Sequence, residues 1–154
     1  MVIDRAAPED LPVSLDLQRR AYASEAALYP EVTLPTMTQT LAELRADAES
    51  RTILKSTVEG RIIASVRGFV DSAGMGHIGR LIVDPSVQGL GYGTRLLHIL
   101  EATLPASTLE LFTGERSAAN LRLYERLGYV RDRSERQGGL TLIYLRKEKA
   151  TVTA

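Results

Sequence analysis

A strand that runs into a proline turn, then three glycines at every second position, then a helix start constrains this chain more than any other feature. The segment reads Ile82-Val83-Asp84-Pro85-Ser86-Val87-Gln88-Gly89-Leu90-Gly91-Tyr92-Gly93-Thr94-Arg95. Glycine has no Cβ, so backbone here can approach a ligand closely and adopt positive φ. The first-turn N–H groups of the following helix lack intrahelical partners and carry partial positive charge, and together these properties make an anion cradle suited to a pyrophosphate. A P-loop needs Lys-Ser/Thr after its last glycine, whereas Gly93 is followed by Thr94-Arg95, which disfavours NTP hydrolysis. A dinucleotide fingerprint wants G-x-G-x-x-G after the first strand, whereas Gly89, Gly91 and Gly93 follow the fourth.

Periodicity places this loop in an order of elements. Val2 to Ala6 reads as a strand, and Pro8-Glu9-Asp10 opens a helix that runs to Tyr29-Pro30, with Thr33-Leu34-Pro35 as loop. A second helix is predicted from Thr38 to Glu49. Thr52 to Val58 and Arg61 to Val70 form a hairpin around Glu59-Gly60, and Met75 to Val83 is a third antiparallel strand. Gly91 to Leu104 is helical with Leu96, Leu97 and Leu100 inward. Strand Thr108 to Thr113, helix Ala118 to Leu127 capped by Gly128, strand Tyr129 to Arg133 and strand Leu140 to Lys147 complete the chain, with Ala150 to Ala154 as a frayed tail. The sequence β α α β β β α β α β β predicts an α+β domain of three layers (α/β/α), with a mixed, mostly antiparallel sheet, over residues 1–154.

Composition removes several function classes. Nineteen basic against nineteen acidic residues disfavour a chain whose work is coating nucleic acid or anionic membrane, and the arginines clustered in the C-terminal third read as a solvated face. With no cysteine and two separated histidines, disulfides, thiolate zinc sites and a cysteine nucleophile are excluded, and no metal is expected. Met1-Val2-Ile3-Asp4-Arg5 does not open like a secretion signal and no apolar run reaches the ~20 residues of a bilayer span, so a cytoplasmic protein is expected.

The glycine segment resembles the GNAT superfamily of acyl-coenzyme A dependent N-acetyltransferases, whose pyrophosphate loop reads Arg/Gln-x-x-Gly-x-Gly/Ala; Gln88-Gly89-Leu90-Gly91-Tyr92-Gly93 matches each fixed position. The resemblance extends back through Leu81-Ile82-Val83-Asp84-Pro85 and forward through Asn120-Leu121-Arg122-Leu123-Tyr124-Glu125-Arg126-Leu127-Gly128-Tyr129. It implies acetyl-CoA as co-substrate and an amine, small-molecule or peptide, as acceptor. Gln88 to Thr94 would hold the pyrophosphate, including Leu90 and Tyr92 by their backbone. Leu81, Ile82 and Val83 would pair with the pantetheine arm where the sheet splays from the next strand, and Asn120 would bond that arm from the other side. Arg122 lies nearest the 3′-phosphate.

Tyr124 occupies the family position of the general acid to the departing thiolate. His77 is the implied base. It stands four residues before Leu81, which period two places on the same strand face as Leu81 and Val83, and an imidazole with its ordinary pKa of about 6.5 suits proton removal from an ammonium. Read from the residues alone, Tyr124 is equally a half-buried helix tyrosine, Asn120 a helix cap and His77 a hydrogen-bonded strand residue. The competing reading from another class is a non-catalytic acyl-CoA binding or sensing module. An exposed final strand would pair across a homodimer.

Overall fold

The computed structural model describes residues 1–149, so the predicted frayed tail lies outside the described residues. Seven strands form one sheet: β1 (Val2–Arg5), β2 (Thr52–Val58), β3 (Arg61–Val70), β4 (Met75–Val83), β5 (Thr108–Gly114), β6 (Val130–Gln137) and β7 (Leu140–Glu148). Their spatial order is β1-β2-β3-β4-β5-β7-β6. Every neighbouring pair is antiparallel except β4 and β5, as a mixed, mostly antiparallel sheet requires. That parallel pair is short: Met75, Gly76 and His77 meet Thr108, Leu109 and Glu110, and beyond them the two strands diverge. The splayed sheet predicted at this point is therefore present.

Helices α1 (Leu11–Ala27), α2 (Pro35–Thr38) and α3 (Leu41–Ser50) pack on one face, and α4 (Tyr92–Thr103) and α5 (Ala118–Arg126) on the other. The α4 side holds the larger core. Leu96, Leu97 and Leu100 are fully buried against Val66, Leu109 and Leu145, each contributing about 1.5–3 kcal/mol of transfer free energy. On the opposite face Leu17 packs against Ile62 and Ile82. Gly128 stops α5 with φ 100°, as a left-handed cap should. Among the described residues no helix is long and apolar enough to cross a membrane.

Two element boundaries and one strand position differ from the sequence reading. The second helix does not start at Thr38: Gln39 is extended, and α3 starts after Thr40, whose hydroxyl accepts the Glu43 amide while the Glu43 carboxylate accepts the Thr40 amide. That reciprocal Thr-x-x-Glu box is a start signal that overrides the continuous stripe. The strand predicted from Tyr129 to Arg133 runs instead from Val130 to Gln137; every residue of it is exposed, so no apolar alternation marks it. The final strand is not an edge, because β7 lies between β5 and β6, which leaves β1 and β6 as the sheet's edges.

Two polar clusters fix the parts around the opening. Asp84, its side chain 3% exposed, accepts the amide and hydroxyl of Ser86 (2.9 and 2.7 Å) and bonds from Arg20 (3.0 Å) and Arg61 (3.1 Å). Those partners, Ser86 foremost, hold its carboxyl far below the usual range and pin the turn after β4 to α1 and β3. Arg67 is buried among Gln18, Gln39 and Asp47, with Asp47 at 2.8 Å and Gln39 at 3.1 Å. Burial and the charge of Arg80 push its pKa down to about 10 despite Asp47.

Candidate active site

The glycine loop opens on a cleft of about 870 Å³. Gly91, which lines the cleft, is the N-cap of α4 at φ 86°, and a Cβ built on it meets nothing within 4 Å. Gly93 is small for another reason: its Cβ would come within 3.0 Å of Val83, so the glycine lets α4 sit close on β4. The first helical bond runs from the Arg95 amide to the Gly91 carbonyl (3.1 Å), which leaves the amides of Tyr92, Gly93 and Thr94 free to face an anion. Leu81, Ile82, Val83, Gln88 and Gly89 line the same cleft. Leu90 does not; its side chain is 68% exposed to solvent. Gln88 bonds the Val83 carbonyl at 3.3 Å, tying the loop back to the strand it leaves.

A second cavity of about 420 Å³ lies on the other side of the sheet opening, formed by the α1–α2 connection, the diverging ends of β4 and β5 and the β6–β7 turn. The two share Tyr22, Glu25, Leu81, Asn120 and Tyr124. At this junction Glu25 accepts Ser117 Oγ at 2.6 Å and Asn120 Nδ2 at 3.2 Å, and the Tyr29 hydroxyl donates to Ser117 Oγ at 3.0 Å. Tyr29 in turn fills the space where a side chain on Gly114 would be: a Cβ there would fall 2.0 Å from its hydroxyl. This chain of bonds ties the end of α1 to the start of α5 across the gap between β4 and β5. Ser117, its link, carries no signal in the sequence, because a serine before a helix reads as an ordinary cap.

Tyr124 is 9% exposed and stands edge-on to Tyr129, ring centroids 6.0 Å apart. Burial, with Tyr22 and the Glu25 charge beside it, raises its pKa above the tyrosine range, so the phenol stays protonated and can donate a hydrogen bond.

His77 is not where strand period placed it. Between Arg67, opposite Gly79, and Ser65, opposite Ile82, β4 holds one residue more than β3, a bulge at which Arg80 adopts φ 53°. The extra residue reverses the alternation. Leu81 and Val83 join the α4-side core, whereas His77 stacks on Phe69 (4.9 Å between centroids) and bonds Asp71 through Nε2 at 2.8 Å on the opposite face. It lines neither cavity. The bond from His77, with the Met75 and Ala73 amides, draws the Asp71 carboxyl below its ordinary range. Arg122 also lies outside the cleft lining, where Arg116 and Arg126 stand instead. Arg116 is already bound to Glu31 (2.6 Å) and to the Leu28 carbonyl (2.9 Å).

Comparison with known proteins agrees with this architecture. A family model described as the Acetyltransferase (GNAT) family matches residues 15–129. The S-(2-succino)cysteine N-acetyltransferase of Bacillus subtilis (strain 168) is 33% identical over 102 residues, 58% of this chain and 62% of that protein, so the match spans less than two thirds of the relative's length. The ribosomal-protein-S18-alanine N-acetyltransferase from Escherichia coli superposes with a TM-score of 0.80 at 22% identity, over 99% of this chain and 96% of that one. The paia N-acetyltransferase from Thermoplasma acidophilum, solved in complex with coenzyme A, gives 0.80 at 13% identity over 96% and 98%. Likeness at those identities concerns the fold.

Proposed function

This chain belongs to the Acetyltransferase (GNAT) family, and from that premise we propose that it transfers an acetyl group from acetyl-CoA to the amine of a small-molecule or peptide acceptor. The observation that carries the reading is the junction at Tyr124: a cleft with free helix amides at one end meets a separate cavity there. The larger cleft fits acetyl-CoA, which supplies the activated acyl group. The amides of Tyr92, Gly93 and Thr94 receive its pyrophosphate, with Gly89 and Gly91 clearing the approach. The open edge of β4 from Leu81 to Val83 offers its backbone to the pantetheine arm.

The amine arrives from the smaller cavity beside Glu25. Its nitrogen forms the new C–N bond as the C–S bond breaks, its proton passes to Glu25 or water, and Tyr124 donates to the departing sulfur. Asn120 takes a place at the crossing, held by Glu25 and Thr113 (3.4 Å). His77 lines neither cavity, which favours Glu25 or solvent as the proton acceptor. The cysteine-free sequence suits a cytoplasmic enzyme, and association of two copies through a strand would use β1 or β6.

Release of free thiol from acetyl-CoA over a panel of amines, together with calorimetric titration of acetyl-CoA, tests the proposal. Binding with acceptor-dependent thiol release is expected. Binding without release on any amine would make the chain an acyl-CoA sensor, and absence of binding would remove the reading altogether.

A further inference from the structure

The relatives are named for unlike acceptors, so the acceptor's chemistry has to come from the cavity itself. Among the described residues, four buried side-chain polar atoms lack a hydrogen-bond partner, and two of them, Arg80 Nη1 and Thr36 Oγ1, belong to residues lining the smaller cavity. A buried guanidinium nitrogen without a protein acceptor is costly, because it loses bulk hydration and no protein oxygen replaces it. No carboxylate forms an ion pair with Arg80 among the described residues, and several of the buried acceptors are already engaged by other arginines. Asp47, Gln18 and Gln39 are taken up by Arg67, Asp84 by Arg20 and Arg61, and Glu110 by Arg133 and Arg146.

Arg80 is held there against two further costs. Its backbone is left-handed at φ 53° inside a strand, where the other non-glycine residue with positive φ, Glu59, occupies a hairpin turn. Its charge also repels that of the buried Arg67. A bulge is a device that re-aims a side chain, and this one sits where β4 leaves β5 and the cavity begins. Strain, like-charge repulsion and an unmet donor in one residue mark a binding group rather than a packing one.

We propose that Arg80, assisted by the Thr36 hydroxyl, binds a carboxylate of the acceptor, so that the substrate is an amine that also carries a carboxylate. This rests on the acetyltransferase reading and narrows its substrate class. A planar guanidinium recognises a carboxylate through two parallel N–H···O bonds. Glu25, on the same cavity wall near Tyr124, supplies the opposite charge for the ammonium. One cation and one anion lining a small cavity complement a zwitterion, with the amine directed to the junction.

The test pairs L-amino acids with their α-carboxamides, which keep the amine and side chain but lose the negative charge. Thiol release gives kcat/KM, and calorimetry in the presence of coenzyme A gives acceptor affinity without turnover. Wild type should prefer the acids by about 10- to 100-fold, carried by KM, as expected for hydrogen bonds to a charged group. In Arg80→Gln that ratio should collapse towards one, and Arg80→Lys should restore part of it. Removing the charge relieves Arg67, so the Gln variant should fold, which its thermal midpoint checks. Acids and amides used equally by wild type, or a preference that survives in Arg80→Gln, would overturn the inference while leaving an enzyme. Charge-selective binding lost in Arg80→Gln, without thiol release by wild type, would keep the carboxylate site and overturn the catalytic reading.

Discussion

The two cavities that meet at Tyr124 are built from different material. The anion-facing end of the donor cleft is local and made largely of backbone: one strand end, one glycine loop and the first turn of α4, all between Leu81 and Thr94, while α1 and α5 wall the rest of the cleft. The acceptor cavity is assembled by side chains from the α1–α2 connection, β4, β5 and the β6–β7 turn, segments more than a hundred residues apart in the chain. Backbone recognition of a pyrophosphate requires only that side chains keep out of the way. Recognition of an acceptor requires particular side chains to be aimed at it, and here a bulge and a chain of buried hydrogen bonds do the aiming.

The largest effect should come from closing the backbone-built side. Gly91→Val puts a branched side chain on a cleft-lining residue at φ 86°, and acetyl-CoA affinity should fall by about 1000-fold or more, from lost contacts to several amides. Backbone strain alone costs about 1–2 kcal/mol of stability. Gly60→Val supplies the control: at φ 74° in the β2–β3 hairpin turn, with nothing within 4 Å of its Cβ, it carries the same strain away from the cleft. Calorimetry should find binding intact in Gly60→Val and absent in Gly91→Val. Equal binding in both would mean that the glycines serve the turn and not the ligand.

A smaller loss is expected where the two sides meet. Tyr124→Phe keeps the ring against Tyr129 and removes only the hydroxyl, so kcat should fall by about 100-fold with acetyl-CoA affinity unchanged. A merely packed tyrosine predicts the reverse: a small change in thermal midpoint and none in kcat. The outcome decides whether the junction is chemical or only geometric.

The same contrast explains what was legible in the sequence. The glycine loop could be read because its function needs residues adjacent in the chain, and the splay of the sheet was expected from the family resemblance that the loop and its flanking segments carry. The Glu25–Ser117–Tyr29 connection could not be read, since it joins residues 88 to 92 positions apart through side chains that look ordinary in isolation. Arg80 gives no signal at all in a sequence in which arginine is common. β6 escaped at its far end because an edge strand with both faces wet has no period to detect. The Thr40-x-x-Glu43 box was readable and locates the start of α3 better than the apolar stripe does.

The smallest effect should come from the residue that strand period placed at the reacting amine. Period two assumes an unbroken strand, and the bulge at Arg80 turns His77 onto the Phe69 face, where its ring is occupied by stacking and by Asp71. His77→Gln should therefore change kcat/KM by about twofold or less, apart from a modest loss of stability from the vacated stack. The pH profile separates the two assignments. With no histidine base, the rate at subsaturating acceptor rises with pH as the acceptor's own ammonium loses its proton. The ascending limb should then lie near pH 8 for the α-amine of a carboxamide or peptide, higher for a free amino acid, whose carboxylate stabilises its ammonium, and near pH 10 for a lysine-like amine, moving with the acceptor and not with the variant. A limb near pH 6 to 7 that stays fixed across acceptors and vanishes in His77→Gln would return the base to His77. It would also require the bulge to rearrange when substrates bind, because only an unbulged β4 puts His77 on the face of Leu81 and Val83.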